Sequence, residues 1–269
     1  MDVDLPAYLD RIGVPAGPPD LATLGAVVSG HTRSIPFENL DPFTGREVGL
    51  DPASLDAKLV RGGRGGYCFE HNRLLLGALG ALGYTAVALL ARVVWGRPVD
   101  TPPTPLSHLL LRVELPHGPH VVDVGFGGNT LTGVLALAPG VAQETPHETY
   151  RLRPDGGDLV MQVSIGGAWR SMYRFDPDGV HHPIDHEVAS FYVSHHPDSH
   201  FVTGLTAARV DADRRHALGD ARYTVHHLGG PSEIVDLGSV REVRDALERH
   251  LHVDTSGLPD LDTHLARLF

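Results

Sequence analysis

The sequence predicts an α+β fold in which helices come first, a small barrel or curled sheet follows, and a mixed α/β cap completes the chain. Two observations support this order. In the first third, apolar residues recur at helical spacing between capping signals. From Tyr84 onward they fall into short runs rich in β-branched residues, separated by turn signals. No repeat or low-complexity linker interrupts the 269 residues. The expected division is a helical unit over 1–83, a barrel unit over 84–190 and a lid over 191–269.

Leu5, Leu9 and Ile12 follow Asp4 at helical spacing, and Pro15 and Pro18 end that segment. Asp20 is placed to cap a second helix containing Leu21, Leu24 and Val27. Asp51 with Pro52 starts a third, because proline fits the first helical position. Glycines 62, 63, 65 and 66 break it, and a fourth helix is expected from about Cys68 to Leu82. Strands are expected over Tyr84–Trp95, Leu106–Leu115 and His120–Gly125, the last two joined by a turn at Pro116–Pro119. Further strands are expected at 148–153, 159–165, 168–174, Tyr223–Leu228 and Glu233–Leu237, then a helix over Ser239–His250.

The net charge of -11 argues against nucleic-acid binding, which needs clustered Lys and Arg. Lys58 is the only lysine and the arginines are scattered. Small molecules are therefore the expected partners. A single cysteine excludes an intrachain disulfide and fits a reducing compartment. The N-terminal segment has no basic stretch followed by an apolar one, so it does not read as a signal peptide. No apolar run approaches the length that spans a bilayer. The expectation is a cytoplasmic protein, its oligomeric state left open with a homodimer included.

The segment Arg61-Gly-Gly-Arg-Gly-Gly-Tyr-Cys68-Phe-Glu-His-Asn72 joins a glycine-rich turn, the only thiol and a helix start. Free backbone N–H groups at a helix N-terminus stabilise a thiolate and could hold an oxyanion. The plain alternative is a buried, inert cysteine. A phosphate-binding loop is disfavoured because no Gly-Lys-Ser/Thr follows the glycines. A thiol nucleophile needs a base, and the base an orienting partner. His108 and Asp123 each sit within an apolar strand run, where a carboxylate is costly unless paired. Parity can put both on one face. A simple hairpin about residues 116 to 119 leaves them diagonal, so a bulge or longer loop is expected between them. A structural His–Asp hydrogen bond is the alternative, and spacing leaves both readings open.

These residues resemble the arylamine N-acetyltransferase family, most closely its bacterial members. The matching pieces are Ile35-Pro-Phe-Glu-Asn-Leu-Asp41, Arg64-Gly-Gly-Tyr-Cys-Phe-Glu-His-Asn72, Ser107-His108, Val121-Val-Asp-Val-Gly-Phe-Gly127 and Phe191-Tyr-Val-Ser-His-His-Pro-Asp-Ser-His-Phe201. The resemblance implies a helical domain, a β-barrel and an α/β lid with a cysteine-protease-like Cys68, His108 and Asp123 arrangement. It implies acetyl-CoA as co-substrate, no permanently bound cofactor, and a Cys68 thioester discharged by arylamines, arylhydrazines or arylhydroxylamines. It also places Phe126 and Gly127 near the acyl and pantetheine end, and Phe37, Val94, His200 and Phe201 in the acceptor pocket. Two departures stand out. The doubled glycine pair, Gly62-Gly63 before Gly65-Gly66, predicts a looser approach into the helix. His195-His196 stands where relatives often have Thr-His.

Other residues have plainer readings. Arg64 reads as a structural ion-pair partner of Glu38, and Trp95 as packing rather than stacking. The histidines at 181, 182, 186, 195, 196 and 200 lack the spacing of a closed metal site, as does the pair Cys68 and His71. The acidic surface does not steer the phosphates of CoA, so local arginines or backbone N–H groups would hold them. Three alternatives share parts of the pattern: an amide synthase closing a macrolactam from a carrier-bound polyketide, a papain-like or transglutaminase-like hydrolase, and a histidine-rich metal-binding protein.

Overall fold

Asp4, Asp20 and Asp51 each accept backbone N–H groups that the first helical turn behind them cannot pair internally. In the computed structural model, which describes residues 3–97 and 102–269, these caps open α1 (Leu5–Ile12), α2 (Leu21–Ser34) and, after β1 (Phe37–Glu38) and α3 (Leu40–Thr44), α4 (Pro52–Leu55). The last runs into a π-helical turn, Asp56–Arg61, and α5 follows over Cys68–Ala81. Helices α1, α2, α4 and α5 start where the sequence predicts, whereas β1 and α3 are too short to show a period.

Eight strands follow, interrupted by loops: β2 (Thr85–Val93), β3 (Leu106–Leu115), β4 (Gly118–Val122), β5 (Leu135–Ala136), β6 (Ala142–Glu144), β7 (Thr149–Asp155), β8 (Asp158–Ile165) and β9 (Ala168–Phe175). They form one sheet in the order β5-β4-β3-β2-β9-β8-β7-β6. Its two ends meet through Gln143 of β6. That side chain accepts the Ala136 N–H at 2.8 Å and donates to the Ala136 carbonyl at 2.9 Å, giving a nearly closed barrel. Alternation along β3 divides its side chains between two cores. Leu109, Leu111 and Val113 pack with the helices, while Leu110 joins Val121, Met161 and Tyr173 inside the barrel. Each such burial contributes roughly 1.5–3 kcal/mol. His108 shares the parity of Leu110 and so faces the barrel side, toward one end.

The remainder comprises α6 (Pro183–His195), α7 (His200–Thr203), β10 (Thr206–Val210), β11 (Arg214–Gly219), β12 (Arg222–His227), β13 (Glu233–Asp236), α8 (Val240–Asp245) with a π-helical turn at Ala246–His250, and α9 (Leu261–Leu265). β1 joins β10 to β13 in a second antiparallel sheet, ordered β1-β10-β11-β12-β13. The lid is thereby anchored on the helical unit. Helix α6 runs continuously through residue 190. No helix among the described residues is long and apolar enough to cross a membrane.

Candidate active site

Cys68 is the first residue of α5 and is 3 % exposed. The chain reaches this point through glycines that nothing larger could replace. A Cβ on Gly65 would collide with the Pro36 carbonyl, and one on Gly66 would lie 2.6 Å from Glu70 Oε2. The doubled glycine does not loosen the helix start as expected. Gly62 and Gly63 instead end the preceding π-helical turn, with Gly63 in the left-handed region at φ 62°. The start of α5 is itself fastened to β1, where the Glu38 N–H donates to the Gly66 carbonyl at 2.8 Å.

A buried charge network stands behind this helix start. Arg64 pairs with Glu38 at 2.7 Å and with Asp41 at 3.1 Å. Lys58 pairs with Asp41 and Glu70, both at 2.6 Å. Glu70 Oε2 accepts the Tyr67 N–H at 3.1 Å, which ties the network to the residue preceding Cys68. Burial pushes the Glu70 carboxyl up to about 7 against the opposing pull of Lys58. Asp41 is held below the usual carboxylate range because Lys58 and Arg64 outweigh its burial. The sole lysine therefore serves the interior.

His108 Nε2 donates to Asp123 Oδ2 at 2.7 Å, and both residues are buried. The expected bulge between them is absent. The β3–β4 register runs unbroken from Leu115↔Gly118 to Leu111↔Val122, and its continuation sets Asp123 opposite Leu110. The diagonal neighbour His108 spans the remaining gap with its long Nε2 side, a reach that diagonal pairs permit. A register shift does occur nearby, but between β2 and β3 at Ala91/Arg92. Burial alone would push the His108 imidazolium down; the Asp123 carboxylate outweighs it, through charge and hydrogen bond, and lifts the group to about 10. Cys68 acts on His108 in the same raising sense as a hydrogen-bonding neighbour. Burial opposes ionisation of Asp123, yet His108, the Gly125 N–H and the Asn72 amide together hold it below its ordinary value. Phe126 and Tyr173 pack on the imidazole, with ring centroids 5.2 and 4.7 Å away.

These groups open into a cavity of about 780 Å³ lined by Cys68, His108, Phe37, Phe126, Gly127, His200 and Phe201 among others. Most of the residues singled out from sequence thus face one space. Val94 is not part of that lining. The wall passes through Val93 and Trp95 on either side of it, while Val94 donates its backbone N–H to Met172 O at 2.8 Å. Trp95 is 38 % exposed and meets Phe126 edge-on at 6.4 Å, so it belongs to the wall as well as to the packing. Tyr192, Asp198 and Ser199 also line the cavity, and so does Arg97, a fixed positive charge. His195 and His196 do not line it; they stack on Phe191 and Tyr192, one turn back on α6. His186 is buried beside Arg73, and burial with that charge pushes it down to about 4. Among the described residues no three His, Cys, Asp or Glu side chains converge as a metal site would require.

Asn72 lies four residues after Cys68 and therefore on the same helix face, but that spacing alone does not reveal its contacts with β3 and with Asp123.

A family model described as N-acetyltransferase matches residues 20–257. The arylamine N-acetyltransferase of Mycolicibacterium smegmatis is 45% identical over 266 residues, covering 97% of this chain and 96% of that protein. The Salmonella typhimurium arylamine N-acetyltransferase / N-hydroxyarylamine O-acetyltransferase is 38% identical, covering 91% and 87%. Among solved structures, the Mycobacterium marinum arylamine N-acetyltransferase in complex with CoA superposes with a TM-score of 0.95 at 40% identity, covering 98% and 99% of the two chains.

Proposed function

The chain belongs to the arylamine N-acetyltransferase family and is an acetyl-CoA-dependent transferase, and from that premise we propose that it acetylates arylamines, arylhydrazines or arylhydroxylamines through a Cys68 thioester. The observation that carries this reading is that the helix-start thiol and His108, itself held by the buried Asp123, line one cavity. The named relatives support N-acetyl transfer and give no support to macrolactam-forming amide synthesis.

The reaction follows a ping-pong order. With His108 lifted to about 10, the imidazole carries its proton at neutral pH beside Cys68 at the start of α5, and the sulfur reacts as its thiolate. The thiolate attacks the acetyl carbonyl of acetyl-CoA. The tetrahedral intermediate expels CoA as its thiolate, which takes the proton from His108, leaving acetyl-Cys68 and a neutral imidazole. The acceptor amine then attacks the thioester and gives its proton to His108 as Cys68 leaves as thiolate. Asp123 holds the ring in the required tautomer throughout. Donor and acceptor use one cavity in turn, and its volume falls in the range of small-molecule sites. Phe126 and Gly127 would face the acyl and pantetheine end. Phe37, Trp95 and Phe201 offer aromatic surface to the acceptor ring, with His200 beside them.

The test is intact-protein mass after brief exposure to acetyl-CoA without amine. Wild type should gain one acetyl group, an arylamine should discharge it, and Cys68→Ala should gain none. No adduct on folded protein would refute the thioester, and release of acetate faster than amine transfer would favour a hydrolase.

A further inference from the structure

We propose that Asn72 is the positioning residue that keeps Asp123, and through it His108, aligned with Cys68; this rests on the thioester reading above. One fully buried carboxamide touches all three segments that carry these groups. The two hydrogens on its Nδ2 serve three acceptors, the Leu109 carbonyl at 2.7 Å, Asp123 Oδ1 at 3.0 Å and the Cys68 carbonyl at 3.2 Å, so one of them is shared. Its Oδ1 accepts the Val124 N–H at 3.3 Å. Leu109 follows His108 in β3, and Val124 follows Asp123.

The two oxygens of Asp123 divide their work. Oδ2 accepts from His108, while Oδ1 accepts from Asn72 and from the Gly125 N–H, also at 3.0 Å. A carboxylate held only through Oδ2 could turn about its terminal torsion, which is soft. Two donors on Oδ1 fix that torsion, and with it the plane in which the imidazole must lie. The approach is possible because residue 125 is glycine: a Cβ there would lie 3.0 Å from Asn72 Nδ2 and 2.8 Å from the Cys68 Cα.

The chemistry at position 72 is narrow. A leucine would leave Asp123 Oδ1 one donor short and the Leu109 side of the amide empty. An aspartate would fill nearly the same volume but set a second carboxylate against Asp123. Only a side chain with both a donor and an acceptor serves Asp123 and Val124 at once.

The experiment compares Asn72→Ala, Asn72→Ser and Asn72→Asp with wild type in the full chain. Two readouts are used: the rate of Cys68 acetylation by acetyl-CoA, followed by mass, and the pH profile of Cys68 alkylation by iodoacetamide. Melting temperature confirms folding. Asn72→Ala should be acetylated about 10- to 100-fold more slowly, with its alkylation profile moved to higher pH because the imidazolium is less well held. Asn72→Ser, which restores one donor, should fall between it and wild type, and Asn72→Asp should be no faster than Asn72→Ala. A folded Asn72→Ala with wild-type rate and profile would overturn the proposal. If Asn72→Ala does not fold, a serine variant no better than the aspartate one would overturn it equally. Should wild type itself take no acetyl group, the transferase reading fails, and the alkylation profile still decides the role of Asn72.

Discussion

Asp123 accepts the Nε2–H of His108 at 2.7 Å, which leaves the other ring nitrogen, Nδ1, for Cys68. The pair fixes both the tautomer and the charge of the imidazole. Asp123→Asn would keep the shape but could offer an N–H to Nε2, favouring the wrong tautomer. The expected loss in the Cys68 acetylation rate is about 10³- to 10⁴-fold, by the precedent of such a change in other triads. Stability should respond as well. A histidine raised from 6.5 to about 10 contributes stability that is complete below 6.5 and is lost as pH rises toward 10. Wild type should therefore lose melting temperature between pH 7 and 10, and Asp123→Asn should show a flatter alkaline limb. An equally steep limb in the variant would assign the loss to other groups.

Gly125→Ala tests how closely Asp123's loop must approach α5. The added Cβ would meet the Cys68 Cα at 2.8 Å and His71 Cβ at 3.2 Å. Neither neighbour is a flexible chain end, so the helix start or the loop must move. A displacement of about 1 Å at a reacting group costs about 10²-fold in rate, and overpacking costs about 1–3 kcal/mol of stability. Single-turnover acetylation and denaturant unfolding measure the two effects. A variant acetylated at the wild-type rate would show that the fit between loop and helix has slack.

Lys58→Met would strip the buried network of one cation while keeping an apolar stem of similar length. Glu70 and Asp41, 1 % and 8 % exposed, would each lose a partner at 2.6 Å. Breaking a buried pair in this way costs about 3–5 kcal/mol, because a buried charge is left uncompensated. Lys58→Arg, which keeps the charge, should lose less. Urea titrations of the three proteins decide it, and a loss below about 1 kcal/mol in Lys58→Met would mean that Arg64 alone neutralises the cluster.

What was legible in the sequence follows from how local each signal is. The start of α5 at Cys68 and the full extent of β3 rest on glycines and apolar runs that lie within one element. The line joining β1 to β10 could not be read, because Phe37 and Ala208 are brought together only by the fold. Helix α6 was invisible for another reason: its largest apolar residues, Ile184, Val188 and Phe191, are exposed, while its buried face is mostly small or polar, with His186, Ala189, Ser190, Val193 and Ser194. The pairing of His108 with Asp123 was suggested by two polar residues in apolar strands, but its route was not. Spacing called for a bulge or a longer loop, whereas the imidazole simply reaches across the diagonal. The amide of Asn72 links three segments, a role no spacing rule encodes.

A second imidazole chain sets the acid limit of the fold. Tyr8 O–H donates to His31 Nδ1 at 2.9 Å, His31 Nε2 to His71 Nδ1 at 2.8 Å, and His71 Nε2 to the Pro36 carbonyl at 3.1 Å. Each ring then uses one nitrogen as donor and one as acceptor, which requires both to be neutral. Burial pushes His71 down to about 4 and holds His31 well below its ordinary value, where the charges of His71 and Arg11 add to the effect. Groups depressed in the folded state but ordinary at 6.5 when unfolded contribute stability above 6.5 that is lost as pH falls toward 4. For His71 alone the full loss is about 3 kcal/mol, and protonation would also break the bond to His31. Since Phe37 stacks on His71 with rings 5° from parallel, the cavity wall should loosen in the same range. The expected outcome is a fall in unfolding free energy between pH 6.5 and 4.5 that flattens in His71→Asn, which cannot titrate there. A wild-type curve flat down to pH 5 would mean that the chain accepts a proton without cost, and the neutral assignment would be wrong.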